Sequence, residues 1–407
     1  MRLIWSAAAV ALALAPISPT GGTAVAAIAG DQIKIGVLTD MNGAASTLSG
    51  MGSVVAAQLA AEDFAKELPG VKIEIVQADH QLKADVASAI ARRWIDTENV
   101  NAIADVVSSS AALAVNDVVR GSKAVFLVSG GGTDALTGPS CSPNTVQWTY
   151  DTWAVANSTV RAVYKSGGTS WFFVTADYAF GQALERQSSI AVTALGGTVV
   201  GEVRHPFLTA DLSSYLLRAQ ASGAKVIGLA NSASDASNSI KQAAEFGLMK
   251  DHFLATLGLF ITDLKGVGAV TAQGLYVTES FYWNANEGTR AFSKRWAERL
   301  GNGTRPTSIQ AGVYAETLHY LKAVKAANTT DGPTVVAKMK ELRTDDPLFG
   351  PGYIRADGRK IHNMYLFQVQ VPPASDDPWD IYKLVQTTPG DEAFRPLKDG
   401  GCPLVKE

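Results

Sequence analysis

The sequence predicts an α/β fold of two doubly wound lobes joined by a hinge that the chain crosses three times. Short apolar segments alternate strictly with segments of helical periodicity over residues 33–129, and the same alternation returns over residues 170–246. This order is typical of parallel sheets that carry helices on both faces and right-handed crossovers. At 407 residues, the chain is long enough for two or three domains.

The first 29 residues carry the features of a secretory signal peptide. Arg2 precedes an apolar stretch that is too short to span a bilayer comfortably, and small residues follow up to Ala26 and Ala29. We expect cleavage after one of these alanines; the alternative is an uncleaved N-terminal anchor. The mature protein is therefore expected in the periplasm.

The first run of alternation contains four predicted strands and three predicted helices. Ala56, Ala60, Phe64 and Leu68 share one face of the first helix, and Pro69-Gly70 ends it. The strands are Ile33–Thr39, Val71–Ala78, Ala102–Val107 and Ala124–Ser129, and the helices are Ser53–Leu68, Ala84–Thr97 and Ala111–Arg120.

The second run begins after a helix predicted over Thr152–Ser166. Its strands are Ser170–Thr175, Thr198–Arg204 and Val226–Ala230, and its helices are Gly181–Leu195, Leu212–Ala221 with Asp211 as its cap, and Asp235–Phe246, where Asp235 is predicted as the N-cap. A strand from Gly274 then leads back towards the first lobe, followed by helices Thr289–Leu300, Ser308–Ala327 and Pro333–Leu342. The tail predicts antiparallel strands at Gly352–Ile354, Met364–Val371 and Asp380–Val385.

This order predicts crossings between the lobes near Tyr150, Phe281 and Asp345. Residues 30–149 and 282–345 would form the first lobe, and residues 150–281 and 346–407 the second. A ligand cleft between lobes that close on a hinge follows from this arrangement.

Two polar loops follow neighbouring strands of the first lobe and suit a small anion. Ser108, Ser109 and Ser110 end one strand, and Ser129 with the glycines and Thr133 ends the next, in the sequence SGGGT. Ligands bind outside the carboxyl ends of parallel strands, and glycine lets backbone amides approach a bound group closely. The alternative is that these residues are ordinary turn residues and helix caps.

Candidate contacts from the second lobe also follow strands. Tyr178 and Phe180 could stack on an apolar or aromatic ligand, although either ring could instead fill the core. Asn231, Ser232 and Asp235 follow the next strand, where Asp235 suits a helix cap better than a ligand contact. Tyr150, Trp153 and Trp283 lie at the predicted crossings, where aromatic side chains could line the hinge side of the cleft.

Cys141 and Cys402 are the two cysteines of the chain. In an oxidising compartment they are expected to pair, tying the C-terminus to the region just after the glycine loop. Two free thiols are the alternative.

The sequence offers little for other functions. A net charge of −3 gives no sign of a nucleic-acid partner, and neither cysteine lies in a metal-ligand spacing. Motifs of serine hydrolases, zinc proteases and P-loop enzymes are missing. Gly130 to Ala135 formally fits the dinucleotide fingerprint GxGxxA, but it follows the fourth predicted strand and Pro139 allows little helix after it. An exported nucleotide-dependent enzyme therefore remains only as an alternative, and we expect no cofactor.

The mature chain resembles the periplasmic branched-chain amino acid (Leu/Ile/Val) binding proteins of ABC importers. The segments IKIGVLTDMNGAAS, VSSSAALAV, FLVSGGGTDALT and ADYAFGQALE follow the order and spacing of that family. The resemblance implies the type I periplasmic binding protein fold, no enzymatic activity, and a monomer that hands a small ligand to a membrane permease.

The resemblance also implies the polar contacts of the ligand. Ser109 or Ser110 and Thr133, with backbone groups of Gly131 and Gly132, would hold a ligand carboxylate. Phe180 stands where the family has a tyrosine, and Asn231, Ser232 and Ala233 stand where amino acid receptors often place an aromatic and an acidic residue.

A buried ammonium without a carboxylate partner is costly, so we expect a carboxylate ligand that lacks the amine. The segments CSPNTVQWTYDT and GGCPLVK resemble the branch associated with aromatic acids. A branched-chain amino acid receptor of the same fold is the alternative.

Overall fold

The computed structural model describes residue 28 and residues 31–406. Apart from residue 28, the predicted signal peptide lies outside the described residues. Among the described helices, none combines the length and the apolar character that a membrane span requires.

The first lobe is built on a five-stranded parallel sheet in the order β2-β1-β3-β4-β5. Its strands are β1 (Gln32–Thr39), β2 (Lys72–Asp79), β3 (Ala102–Asp105), β4 (Val125–Val128) and β5 (Thr145–Gln147), and its helices are α1 (Gly50–Phe64), α2 (Ala84–Asp96) and α3 (Ser109–Arg120). Every residue of β3 and β4 is buried, as expected for parallel strands covered on both faces.

The second lobe repeats the design with a four-stranded parallel sheet in the order β7-β6-β8-β9. It comprises α4 (Thr152–Lys165), β6 (Ser170–Ala176), α5 (Ala179–Ala194), β7 (Thr198–His205), α6 (Ser213–Ala221), β8 (Val226–Ala230), α7 (Ala233–Glu245), β9 (Phe253–Thr256) and α8 (Ile261–Val267). These two sheets confirm the predicted fold class.

Two predicted helix caps were wrong. The N-cap of α6 is Leu212, and Asp211 lies one residue before it. The Asp211 carboxylate accepts from the amide of Ser213, the first residue of the helix. The N-cap of α7 is Ser232, and Asp235 lies inside the first turn. The buried Asp235 carboxylate turns outwards from its helix and accepts from the amide of Leu208.

The chain then returns to the first lobe through three helices. After β10 (Tyr276–Glu279) come α9 (Glu287–Leu300), α10 (Ser308–Ala327) and α11 (Gly332–Glu341). The indole of Trp296 donates to the Gly52 carbonyl at 2.8 Å, and the Tyr314 hydroxyl donates to Asp63 at 2.7 Å. The helices α9 and α10 therefore pack on α1.

The last part of the chain is antiparallel, as predicted. It contains β11 (Thr344–Asp346), β12 (Gly350–Ile354), β13 (Lys360–Ile361), β14 (Met364–Val369), β15 (Tyr382–Thr388) and α12 (Gly390–Ala393). The strand β14 lies between β10 and β15, while Arg359 forms a bridge to Gln147 at the end of β5. The boundaries that divide the chain into two lobes stay a prediction.

A disulfide joins Cys141 and Cys402, whose Cα atoms lie 5.6 Å apart. This confirms the predicted pairing. The bond fixes the C-terminal segment next to the loop that follows β4.

Candidate ligand cavity between the lobes

A small cavity lies between the two lobes, at the carboxyl ends of both parallel sheets. Its walls come from the first lobe, the second lobe and the first crossing. The lining residues are Ala45, Leu48, Leu82, Val107, Ser108, Ser109, Gly130, Tyr150, Tyr178, Phe180, Phe207, Ser232, Ala233, Phe260 and Ile309.

The polar part of the first lobe's wall is the start of α3. Ser108 is the N-cap residue, and its hydroxyl makes no capping hydrogen bond to the helix. The hydroxyl of Ser109 accepts from the Thr133 amide at 3.1 Å, which leaves the hydrogen of that hydroxyl to be donated elsewhere. Two hydroxyl donors and a helix N-terminus therefore face the cavity from this side.

The backbone that leads into α3 is unusual. Asp105 and Val106 have φ angles of 78° and 56°, a left-handed conformation that is uncommon for a β-branched residue such as valine. The neighbouring loop depends on glycine: a Cβ at Gly130 would lie 2.5 Å from Oδ1 of Asp105 and 2.6 Å from Cα of Val107. The strained turn and this glycine let the two strand-end loops approach each other closely.

The second lobe contributes the starts of two more helices. Tyr178 is the N-cap of α5 and Ser232 is the N-cap of α7. Their hydroxyls lie 2.9 Å apart and form a hydrogen bond. Helix N-termini from both lobes therefore surround one cavity, where their dipoles favour negative charge.

Five aromatic rings supply the apolar part of the walls. Tyr178 stacks on Phe207 with ring centres 4.1 Å apart, and Tyr150 packs edge-on against Phe260 at 5.3 Å. Phe180 lies between the two tyrosines, at 6.3 Å from each. A flat, apolar ligand would be enclosed by rings on several sides.

None of the described residues that line the cavity has a charged side chain. Asp235 is fully buried behind the wall, where desolvation raises the pKa of its carboxyl to about 6. The cavity therefore presents hydroxyls and helix N-termini but no carboxylate for an ammonium group.

A buried acidic residue lies directly behind Gly130. Asp105 is fully buried, and desolvation raises the pKa of its carboxyl to about 7, although the hydroxyls of Thr39, Ser53 and Ser129 surround it. Neither oxygen makes a well-formed hydrogen bond within the described residues. Burial likewise raises the pKa of Glu316, and the charge of Asp105 adds to the effect.

We expect Asp105→Asn to stabilise the ligand-free protein at neutral and alkaline pH. The wild-type protein keeps the full contribution of the protonated carboxyl only below about pH 4 and loses it as the pH rises towards 7. The difference in unfolding free energy between variant and wild type should therefore grow over this window, by up to about 4 kcal/mol. Urea unfolding at pH 4 to 8 measures it.

The control for this experiment is Asp117→Asn, on the exposed face of α3, where the side chain is 76% exposed. Its difference from wild type should stay flat with pH. A flat difference for Asp105→Asn as well would show that the buried carboxyl does not lose its proton at a raised pH.

The structure brings six of the predicted site residues into the cavity wall: Ser108, Ser109, Tyr150, Tyr178, Phe180 and Ser232. Gly132 lies just outside the wall, since a Cβ there would come within 2.6 Å of the rings of Phe180 and Tyr150. Ser110 is half-buried on the next position of α3 and is not part of the wall.

Other predicted residues support the wall from behind. The Thr133 hydroxyl accepts from the Ala135 amide, and the carbonyls of Gly131 and Thr133 accept from Gln147, so this loop directs its carbonyls away from the cavity. Ser129 is buried beside Asp105, and Asn231 donates to the hydroxyl of Ser239. Their roles as ligand contacts stay predictions.

The two tryptophans lie away from the cavity. Trp153 faces a surface groove between α4 and the segment around Phe394. Trp283 is buried, and its indole donates to the Trp379 carbonyl while Arg305 lies over its ring. Both tryptophans pack against neighbouring residues near the crossings, and neither ring faces the cleft.

Sequence reasoning missed several wall residues. Phe207 follows β7 and Phe260 follows β9, so each stands at a strand end like the residues that were found. Ile309 opens α10. The signal available for Phe207 was its place directly after a predicted strand, whereas Phe260 follows a strand that the sequence did not reveal.

Comparisons with known proteins agree with this architecture. The sequence profile of the periplasmic binding protein family matches residues 32–377. A Leu/Ile/Val-binding protein homologue from Brucella abortus is 23% identical over 372 residues, which cover 89% of this chain and 93% of that protein.

Solved structures are similar over almost the whole chain. A periplasmic binding protein from Burkholderia mallei is 44% identical with a TM-score of 0.89, and a branched-chain amino acid ABC transporter ligand-binding protein from Burkholderia xenovorans is 38% identical with a TM-score of 0.81; each match covers 92% of this chain and 100% of the other. A solute-binding protein from R. palustris in complex with 4-hydroxybenzoate shares the fold at 21% identity and a TM-score of 0.80, over 88% of this chain and 97% of its own. The chain thus belongs to the periplasmic binding protein family, as a non-enzymatic solute-binding protein of the ABC transporter type.

Proposed function

We propose that this protein binds a small aromatic carboxylate in the cavity between its lobes and delivers it to the membrane permease of an ABC importer. One observation carries the proposal: helix N-termini and hydroxyls from both lobes surround an aromatic cavity whose described lining residues include no charged side chain.

The anionic group of the ligand would lie at the start of α3. Free amides at a helix N-terminus and the positive end of the helix dipole stabilise an anion, and the hydroxyls of Ser108 and Ser109 add donors. The Tyr178 and Ser232 hydroxyls can complete its hydrogen bonds from the second lobe when the lobes are closed.

The rest of the ligand would be a flat ring. Tyr150, Phe180, Phe207 and Phe260 offer ring faces and edges but few hydrogen-bonding groups. The space left between these rings is small, which favours a compact, single-ring acid. Proteins of the same fold from R. palustris were solved with 4-hydroxybenzoate and with benzoate, which supports this choice of ligand class.

The second candidate is a branched-chain amino acid, because the protein from Burkholderia xenovorans is assigned to that transport class. Such a ligand carries an ammonium group that would need a carboxylate in the cavity. Asp235 is the acidic residue nearest in sequence to the start of α7, and one of its oxygens is without a hydrogen-bond partner in the described structure. Asp235 does not line the cavity, so its carboxylate would have to move into the cavity to pair with an ammonium group.

A ligand panel combined with one substitution separates the two candidates. We expect 4-hydroxybenzoate or benzoate, but not leucine or valine, to raise the melting temperature of the mature protein. A ligand at 100 times its dissociation constant adds about 2.7 kcal/mol of stability. Asp235→Asn should leave the affinity for the acid within about threefold of wild type, measured by calorimetry.

If the ligand is a branched-chain amino acid, the opposite results are expected. Leucine or valine would then stabilise the wild-type protein, and Asp235→Asn would weaken that binding by tenfold or more. That result would overturn the aromatic-acid proposal.

The location and the molecular state of the protein follow as further parts of the proposal. We propose export by the N-terminal signal peptide, action as a monomer in the periplasm, and closure about the three predicted crossings. Mass photometry of the mature protein and sequencing of its N-terminus after export would test the first two.

A further inference from the structure

Asp134 is the meeting point of three separate parts of the chain. It follows the glycine loop of the first lobe, and its side chain is 3% exposed. Oδ1 accepts from Arg186 at 2.8 Å and from the Thr152 hydroxyl at 3.0 Å. Oδ2 accepts from Gln187 at 2.7 Å and from Arg395 at 2.9 Å.

Two of these four donors reach across the interface between the lobes. Arg186 and Gln187 belong to α5, which packs on the sheet of the second lobe, whereas Asp134 follows β4 of the first lobe. Thr152 opens α4 at the first crossing, and Arg395 lies on the C-terminal segment that the disulfide ties to the first lobe. Opening of the lobes would draw the two donors of α5 away from Asp134, whereas Thr152 lies at the crossing itself and Arg395 lies on the segment that the disulfide holds beside the glycine loop.

This contact is coupled to the cavity by the elements that form it. The helix α5 begins at the cavity with Tyr178 and Phe180 and reaches Arg186 about two turns later. The loop that ends in Asp134 includes Gly132, which lies against the ring of Phe180. The same two segments therefore form both the cavity wall and the contact at Asp134, although neither Arg186 nor Asp134 lines the cavity.

We propose that Arg186 and Gln187 of α5, bonded to Asp134, form a latch that holds the lobes closed and so sets the ligand affinity without touching the ligand. The proposal rests on the function proposed above, in which the ligand binds between closed lobes. A contact made only in the closed state raises the closed fraction of the free protein. Because the apparent dissociation constant is the intrinsic one divided by the competent fraction, a weaker latch gives weaker binding.

The variant Arg186→Met/Gln187→Leu removes both donors of α5 and keeps Asp134 with its remaining partners. We expect the ligand-free variant to have a larger radius of gyration than wild type by small-angle X-ray scattering. Its affinity for 4-hydroxybenzoate should fall about tenfold, mainly through faster dissociation. Arg186→Met alone, at a side chain that is 52% exposed, should show the same changes to a smaller degree and serves if the double variant does not fold.

The matched control is Arg204→Met. Arg204 is 44% exposed and pairs with Glu185 at 2.8 Å, but both residues belong to the second lobe, so this ion pair does not join the lobes. The control should keep the wild-type radius of gyration and affinity. Latch variants that behave like this control in both measurements would overturn the proposal.

The two proposals fail in different ways. If wild-type protein does not bind 4-hydroxybenzoate, benzoate or 3,4-dihydroxybenzoate, the ligand class is wrong, while the scattering of the ligand-free variants still decides whether the latch holds the lobes. If wild-type protein binds one of these acids but the latch variants keep its radius of gyration and its affinity, the latch proposal is wrong and the ligand class stands.

Discussion

The double variant Ser108→Ala/Ser109→Ala should lose aromatic-acid binding by about 10²- to 10⁴-fold. Each hydroxyl is expected to donate to the ligand carboxylate, and a hydrogen bond to a charged group contributes about 1.5–3 kcal/mol. Ser109→Ala also leaves the Thr133 amide without its acceptor, so the glycine loop loses one of the bonds that position it. Calorimetric titration with 4-hydroxybenzoate measures the loss.

The matched control is Ser110→Ala, one position further along α3, where the side chain is half-buried and outside the cavity wall. Its affinity should stay within about twofold of wild type. Equal losses at Ser110 and at the Ser108/Ser109 pair would contradict an anion site at the start of α3. An unchanged urea midpoint in all three proteins would show that lost binding is not lost folding.

Loss of the disulfide should lower the unfolding free energy by about 3–5 kcal/mol. Cys141 and Cys402 are 261 residues apart, so the bond closes most of the chain into one loop and strongly restricts the unfolded state. The variant Cys141→Ala/Cys402→Ala and reduced wild-type protein should unfold at the same lower urea concentration. The bond also fixes the segment that carries Arg395, so its loss should expose this segment to proteolysis.

Reductant added to the alanine variant is the control, because that protein has no thiol left to reduce and its urea midpoint should not move. If full reduction leaves the urea midpoint of the wild-type protein unchanged, the loop closed by the disulfide does not contribute to stability.

The sequence predicted those elements whose burial is visible over several consecutive residues. Strands such as β4 are apolar throughout because helices cover both faces of the sheet, and this pattern needs no knowledge of the fold. The strand β9 was missed because it begins with the exposed Phe253, which leaves a buried run of only three residues, and the helix α8 was missed because it is only 7 residues long. Segments this short do not complete enough periods to be recognised.

The candidate site was predictable to the extent that topology fixes it. Parallel strands of one sheet end at one edge, so the loops that follow β3 and β4 could be placed beside each other without a structure, and Ser109 does accept from the Thr133 amide. The distinction between Ser109 and Ser110 depends on the residue at which α3 begins, because neighbouring helical positions point about 100° apart. Trp153 and Trp283 show the converse limit, since a position at a crossing does not tell which way a ring turns.

The helix starts around the cavity are divided unequally, with α3 on one lobe and α5 and α7 on the other. A carboxylate without a ring, such as acetate, can occupy the start of α3 but has nothing for the aromatic wall to enclose. Such a compound would compete with the proposed ligand for the start of α3 without contacting the aromatic rings. Under the proposed function, binding of an anion at α3 and enclosure of a ring are therefore separate requirements, and a short-chain acid would meet only the first.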